Sequence, residues 1–369
     1  MGRTASSALC LLLLAGLTRF VLAADQAGIT EFGAFLRPAN SSPVITPQRT
    51  TTFRDPILRK PVQWEALHTF NPAAVVRGSK VYVLYRAEDN SGSMEIGMHT
   101  SRLGLAESSD GIHFKRNPAP VFYPDRDGEQ EREWPGGVED PRIVESDDGT
   151  YVLTYTQWNR KNYRVAIATS RDLTHWTKHG AAFGLNGKYG AFPYKSAGIL
   201  THLVRDRLVA ARVNGKYWMY WGEVQVRLAT STDLIHWTPV EGSDGKPLAL
   251  LEPRPGRFDS ALPEVGPPPV LTSNGIVLLY NGKNGAETRD TSLAPGTYAA
   301  GQALFASDDP AKLLSRSDVP FFRPEMSWEQ KGQYAAGTTF LEGLVRFHEQ
   351  WFLYYGCADS FVGVAFTRH

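Results

Sequence analysis

The sequence predicts an all-β protein, on three observations. Past the first two dozen residues, apolar positions do not keep the three-and-four spacing of a helix over any long stretch of the 369-residue chain. Its 34 glycines and 24 prolines punctuate short runs of β-branched and aromatic residues, as turns separate strands. Two short patterns also recur, and recurrence points to one structural unit used several times.

The first pattern is a strand pair split by a polar turn. Asn71 to Val76 leads through Gly78-Ser79 into Val81 to Arg86, and Asp140 to Val144 leads through Asp148-Gly149 into Tyr151 to Tyr155. Lys195 to Leu200 opens a third unit, with Arg207 to Ala211 as its expected second limb. Gly266 to Leu271 leads through Asn274-Gly275 into Ile276 to Asn281, and Gly337 to Phe340 opens a fifth unit that ends in Trp351 to Gly356. The second pattern follows most of these as a Ser-x-Asp turn with a returning aromatic. It reads Ser108-Ser109-Asp110-Gly111-Ile112-His113-Phe114, then Ser170 to Trp176, then Ser231 to Trp237, with a degenerate copy at Ala306 to Pro310.

Five units of this kind predict a five-bladed β-propeller, each blade a four-stranded antiparallel sheet, with the active site at one end of the central channel. The leading residues of the innermost strands then converge although far apart in sequence: Asn71, Asp140, Lys195, Glu264 and the Gly337 region. A polar funnel so formed is a binding site by default. The competing reading is a propeller that serves only as an interaction platform.

The N-terminus reads as a secretory signal over 1–23. Arg3 is its positive end, Leu11 to Leu14 its apolar core, and Val21-Leu22-Ala23 its cleavage site. The run is broken by Gly16, Thr18 and Arg19, a poor membrane span. The expected mature protein is a single catalytic domain, 24–369, exported to the periplasm or beyond the cell. Loss of Arg3 and Arg19 takes the net charge from +1 to −1. Near-neutrality without a basic stripe disfavours nucleic acid and anionic membrane as partners. Only Cys357 of the two cysteines is left after cleavage, so stability is expected from a core rather than a disulfide. None of the nine histidines stands at a metal-ligand spacing, so neither metal nor other cofactor is expected. His175 and His236 sit inside the repeated turn and are expected to be structural.

One segment concentrates chemistry: Trp134-Pro135-Gly136-Gly137-Val138-Glu139-Asp140-Pro141-Arg142. Two adjacent carboxylates at the mouth of a strand, with an arginine two residues on, suit a general acid. The plainer alternative for Asp140 is an Asx turn ahead of Pro141. For Asn71 it is strand-entry capping, and for Arg86 an ion pair with Glu88 or Asp89.

Together with Tyr85-Arg86-Ala87, Gly266-Pro267-Pro268-Pro269 and Tyr354-Tyr355-Gly356-Cys357-Ala358-Asp359, this segment resembles glycoside hydrolase family 130, the β-mannoside phosphorylases and mannosidases. The matching pieces run in the family's order from Asn71 to Asp359. The resemblance implies a five-bladed propeller and inverting chemistry. It also implies that Asp140 is the acid, acting through the 3-hydroxyl of the mannosyl unit. It assigns Asn71, Arg86 and Asp359 to holding that unit, and the same end of the channel offers Arg142, Lys195 and Asn281 as further substrate contacts.

The departures from the family's phosphorylases fall at their phosphate site. Where those have Lys-Ile-Gly, Tyr-His-Gly and a His-Arg-Pro-like run, this chain has Glu264-Val265-Gly266, Tyr280-Asn281-Gly282 and Tyr220-Trp221-Gly222-Glu223. A phosphate dianion beside two extra carboxylates is repelled, whereas an inverting hydrolase needs a carboxylate to deprotonate water. Either Glu223 or Glu264 is then the base. The expectation is an exo-acting inverting β-1,2-mannosidase acting on a mannoside oligosaccharide. The alternatives are a phosphorylase yielding mannose 1-phosphate and a non-catalytic glycan-binding propeller. The leaving-group side is expected to be shaped by loops 88–102 and 125–133, by Gln157-Trp158 and by 283–297, with 125–133 a solvated rim. The sequence leaves the oligomeric state open.

Overall fold

The structure, a computed structural model, describes residues 31–39 and 42–368; the expected leader over 1–23 lies outside them. Five antiparallel sheets follow one another along the chain. The first blade is His68–Arg77, Lys80–Glu88, Ser101–Ser108 and Lys115–Arg116. The second is Gly137–Glu145, Tyr151–Trp158, Tyr163–Ser170 and Trp176–Ala181. The third is Ala197–Ile199, Lys216–Trp221, Val226–Ser231 and Thr238–Pro239. In the fourth blade the innermost strand is split into Leu262–Val265 and Val270–Thr272, both paired with Gly275–Lys283. Prolines 267–269 lie in the gap, where they have no N–H to give a ladder. Tyr298–Phe305 and Leu313–Arg316 complete that sheet. The fifth blade is Thr339–Phe347, Gln350–Cys357 and Phe361–Thr367, and its outer strand is Phe35–Leu36 from the other end of the chain.

That last pairing closes the ring, which spares the fold an open sheet edge at the seam. The core has the same fivefold organisation. Five apolar clusters each join two successive blades, from the first–second pair (Leu84, Ile143) round to the fifth–first pair (Val83, Val345). Burial of these clusters is what holds the sheets face to face.

The repeated Ser-x-Asp pattern is a turn between the third and fourth strands, as its position implied. In three blades the serine Oγ accepts the backbone N–H three residues on, of Gly111, Leu173 and Leu234, each at 2.9 Å. The aspartate takes the next two N–H groups and the histidine Nδ1, so His113, His175 and His236 are structural.

A further repeat escaped the sequence reading. In four blades a second-strand tyrosine donates its hydroxyl to a buried acid from the segment ahead of the innermost strand. The pairs are Tyr85–Glu65, Tyr155–Glu133, Tyr280–Asp259 and Tyr355–Glu329, at 2.7–2.9 Å. A cation from or beside the fourth strand meets the same acid: Arg116, Lys178, Arg316 and Arg37, at 2.5–3.0 Å. A charge-assisted lock therefore ties the inner, second and outer parts of each of these blades. Glu133 belongs to it, so the 125–133 loop is not simply a solvated rim.

The third blade departs from the pattern. Tyr220 donates to the Pro310 carbonyl instead. Arg207–Ala210, expected to be the second limb, forms a short hairpin with Thr201–Val204, and the strand that reaches the channel mouth is Lys216–Trp221.

Candidate active site

Three innermost strands carry a β-bulge at the same depth. The register slips between Phe70 and Pro72, between Glu139 and Arg142, and between Leu341 and Gly343. The displaced residues are Asn71, Asp140 with Pro141, and Glu342. Asn71 and Asp140 have φ of 46° and 50°, left-handed values that cost a side-chain-bearing residue energy. A bulge re-aims a side chain, and here two are turned into one cavity of about 280 Å³. The fifth blade makes room: a Cβ on Gly356 would stand 2.4 Å from Asn71 Oδ1, which gives the Tyr-Tyr-Gly motif its steric reason.

Asp140, Glu139 and Glu88 gather round one guanidinium. Arg86 Nη1 lies 3.1 Å from Asp140 Oδ1, and Nη2 lies 2.8 Å from Glu139 Oε1 and 2.7 Å from Glu88 Oε1. Its Nε donates to Ser101 at 3.0 Å, and its plane lies 4.5 Å from the Phe70 ring centroid. The Glu88 ion pair foreseen as an alternative for Arg86 therefore exists beside its contacts with the cavity acids. Asn71 Nδ2 donates to Asp140 Oδ1 at 2.8 Å, while Asn71 Oδ1 is buried without a partner. An orphaned acceptor at a cavity wall is a docking point for a ligand hydroxyl.

The two neighbouring carboxyls divide their protons unequally. Burial would raise Asp140, but Arg86, Lys195, Arg142 and the Asn71 amide outweigh it and bring it down to about 2. Glu139 is pushed up to about 7 by burial and by the Asp140 and Glu88 charges, against Arg86. Asp359, also on the wall, rises to about 7 through burial, against Arg86. The group as a whole holds a proton close to neutrality, and that proton belongs to the set rather than to one residue.

The other wall is built on Lys195. Its Nζ lies 3.4 Å from Glu223 Oε2 and 3.7 Å from Glu264 Oε1. The two glutamates face each other in an isolated antiparallel bridge between the third and fourth blades. Ser196, at φ 55°, donates to Glu264 Oε1, and Glu264 Oε2 is buried with no partner. Burial raises the Glu264 carboxyl and the Glu223 charge adds to the rise, against Lys195. A carboxylate with one oxygen fixed and one free, made more basic by its surroundings, can take a proton from water.

Seven of the nine expected site residues line this cavity: Asn71, Arg86, Asp140, Lys195, Glu223, Glu264 and Asp359. Two do not. Arg142 is buried below it, spending its donors on the carbonyls of Asp140, Val265 and Gly266 and pairing with Glu342 at 3.0 Å. It props the floor and bridges the gap in the fourth blade. Asn281 is wholly buried and exchanges both hydrogen bonds with the backbone of Leu341. Its polar ends are consumed in the seam between the fourth and fifth blades.

The rim also differs in part. Ile96, Gly97 and Trp158 line the cavity, whereas 125–133 and 283–297 do not, and Gln157 turns toward Glu129 and Glu133. Sequence reasoning missed Glu342, buried below the cavity against Arg142, and the aromatic wall of Phe70, Tyr163, Tyr298, Tyr334 and Phe340. Pairing and strand position carry no signal for these until the blades are assembled.

Carboxylates on two walls of a sugar-sized cavity, one set pinned by an arginine and one with an unspent oxygen, are the equipment of a glycoside-cleaving enzyme. The chain belongs to glycoside hydrolase family 130, enzymes that act on β-mannosides: the family model described as beta-1,4-mannooligosaccharide phosphorylase matches residues 39–369. The chain is 33% identical to a 1,2-beta-oligomannan phosphorylase of Thermoanaerobacter sp. (strain X514), over 82% of this chain and 90% of that one. A solved structure reported among GH130 glycoside hydrolases that target beta-1,2 mannosidic linkages in Candida mannan is 54% identical, with a TM-score of 0.89 over 91% of this chain and 94% of that one. A glycosyl hydrolase from Bacteroides ovatus is 55% identical, with a TM-score of 0.88 over 91% and 94% of the two chains.

Proposed function

We propose that the protein is an exo-acting inverting hydrolase that releases mannose from β-1,2-linked mannosides. The observation that carries the hydrolytic reading is the state of the cations. Arg86 and Lys195 are the cations on the cavity wall among the described residues, and both are already committed to carboxylates. Neither is left to hold a phosphate dianion, and Glu223 and Glu264 would repel one.

In this reading the terminal mannosyl unit sits between the two walls. Its hydroxyls meet the free oxygen of Asn71, the Asp359 carboxyl and the Arg86–Asp140 pair. Glu264 deprotonates a water held with Glu223 and Lys195, and the water oxygen attacks the anomeric carbon. The bond to the leaving oxygen breaks from the opposite face, and that oxygen takes its proton from the Glu139–Asp140 set by way of the sugar's 3-hydroxyl. Attack from the opposite face inverts the anomeric centre. The expected leader over 1–23 fits the same reading, since a sugar phosphate made outside the cell conserves nothing for it.

The test is to incubate the protein with β-1,2-mannobiose, with and without inorganic phosphate, and follow the products by proton NMR. Free α-mannose as first product, at a rate unmoved by phosphate, is expected. Mannose 1-phosphate with phosphate-stimulated turnover would establish phosphorolysis, the activity in the names of the curated relatives. Binding without cleavage would make the chain a glycan-binding module.

A further inference from the structure

Behind the acid wall, at the top of the first blade, His68, Glu88 and His99 each bring a ligand atom within 4.8 Å of the others. We propose that these three residues bind a divalent first-row transition ion, for which Zn2+ is the fitting probe, and that the ion fastens the 89–100 segment to the blade.

The three side chains are prepared as ligands rather than as partners of one another. His99 is 1% exposed, and its Nδ1 stands 2.8 Å from the Ser91 carbonyl. A carbonyl only accepts, so Nδ1 carries the hydrogen and Nε2 keeps its lone pair. This outer hydrogen bond is how proteins orient a metal-bound imidazole. His68 Nδ1 stands 3.0 Å from the Ser360 hydroxyl, which can accept from it as readily as donate to it, so the imidazole is free to take the tautomer a metal requires. Glu88 gives Oε1 to Arg86, while Oε2 has only a long contact, 3.4 Å, from Gln333. Among the described residues no hydrogen bond joins His68, Glu88 and His99 to each other, although a ligand atom of each lies within 4.8 Å of the other two.

Two imidazoles and one carboxylate suit zinc and its neighbours rather than calcium or magnesium, which take oxygen ligands. Bond lengths of about 2.0–2.2 Å bring tetrahedral ligand atoms to about 3.4 Å apart. The cluster must contract by roughly 1.4 Å at most to reach that, within the reach of side-chain torsions. The three ligands come from three places: the start of the innermost strand, the end of the second strand and the end of the connecting segment. That segment carries Ile96 and Gly97, which line the cavity. A bound ion would therefore hold the outer edge of the substrate site. The site was invisible in sequence because its ligands stand 20 and 11 residues apart, outside any zinc-motif spacing.

The experiment uses the whole protein after chelator treatment and dialysis, titrated with Zn2+ alone by isothermal calorimetry, with thermal unfolding and limited proteolysis in parallel. One equivalent is expected to bind, raise Tm and slow cleavage within 89–100. His68→Ala and His99→Ala are expected to lose stoichiometric binding, and His99→Cys, which keeps a zinc ligand, to retain it. Co2+ in place of Zn2+ is expected to give intense visible bands of a low-coordinate site in the wild type and in His99→Cys, and none in the two alanine variants. No saturable binding by the wild type, or binding that survives both alanine substitutions, would overturn the proposal.

Discussion

The acid and base walls of the funnel stand on differently built blades. Asn71, Arg86 and Asp140 rise from the first and second blades, each held by a buried tyrosine–acid–cation lock. The base wall is mixed: Glu264 rises from the locked fourth blade, but Lys195 and Glu223 rise from the third, where Tyr220 meets only a carbonyl and the sheet gives way to an extra hairpin. The contacts match the scaffolds. Arg86 touches three carboxylates within 3.1 Å, whereas Lys195 stands 3.4 and 3.7 Å from its two. A proton donor must be held at one geometry to a fixed sugar oxygen, and dense pairing does that. A base that works through water needs room for the water, and loose pairing with an unspent Glu264 oxygen leaves it.

The largest test of this contrast is to remove each chemical group in place. Asp140→Asn keeps the shape and the Asn71 neighbour but cannot hand on a proton. Glu264→Gln keeps the Ser196 contact but cannot take one. Each is expected to lower kcat on β-1,2-mannobiose by about 10²–10⁴, the usual worth of a positioned acid or base. Glu223→Gln is expected to lose less and to raise KM for the substrate, because it holds the water with Lys195 rather than accepting its proton. Equal losses in the two glutamate variants would merge them into one base, and near-normal kcat in Asp140→Asn would remove the acid from the mechanism.

How much of this was legible beforehand follows a physical line. Asn71, Asp140, Lys195 and Glu264 were placed from the repeat because equivalent positions of innermost strands converge wherever blades close into a ring. Arg142 and Asn281 were misplaced although they lie in the same motifs. Whether a side chain near a channel faces the cavity or the seam depends on a one-residue bulge, and a bulge has no residue signature of its own. The tyrosine locks went unseen because acid and tyrosine lie 20 to 26 residues apart, with spacing that shifts by insertions. The third blade misled at the second strand because Arg207–Ala210 and Lys216–Trp221 have the same apolar, turn-bounded character. Only pairing distinguishes them.

A middle-sized effect is expected at Glu139. Its carboxyl holds a proton up to about 7 by burial and by the Asp140 and Glu88 charges, so the acid wall loses its store as pH passes that point. Glu139→Gln is expected to reduce kcat about tenfold, less than loss of Asp140, and to move the alkaline limb of the pH–rate profile away from 7. Stability should show the same groups with a definite sign. Glu133, Glu139 and Asp359 sit near 7 in the fold, above ordinary carboxylates. Their favourable contribution is present below the unfolded value near 4 and lost as pH rises to 7. Asp140, lowered to about 2, and Asp110, Asp172 and Asp233, lowered by hydrogen bonds in the repeated turn, act oppositely and lose theirs as pH falls below 4. Thermal unfolding across pH is thus expected to peak near about pH 4 and to fall on either side. Glu139→Gln is expected to flatten the fall on the alkaline side without touching the acid side.

The smallest expected effect separates the blades themselves, and stability rather than turnover reads it. Tyr280→Phe in the fourth blade leaves Asp259 with Arg316 and Arg254 but removes the hydroxyl's bond to a buried charge and the one it accepts from Arg316 Nε at 3.1 Å. A cost of about 1.5–3 kcal/mol is expected. Tyr220→Phe in the third blade breaks only the bond to the Pro310 carbonyl, so about 0.5–1.5 kcal/mol is expected from urea unfolding. Both phenylalanines keep the ring packing, so the difference isolates the hydroxyl's partner. If the two losses were equal, the lock would be ordinary packing and the looseness of the base wall would need another origin. If the third blade lost less, its freedom from a buried charge would be the structural condition that lets Glu223 and Lys195 stand apart far enough to admit water.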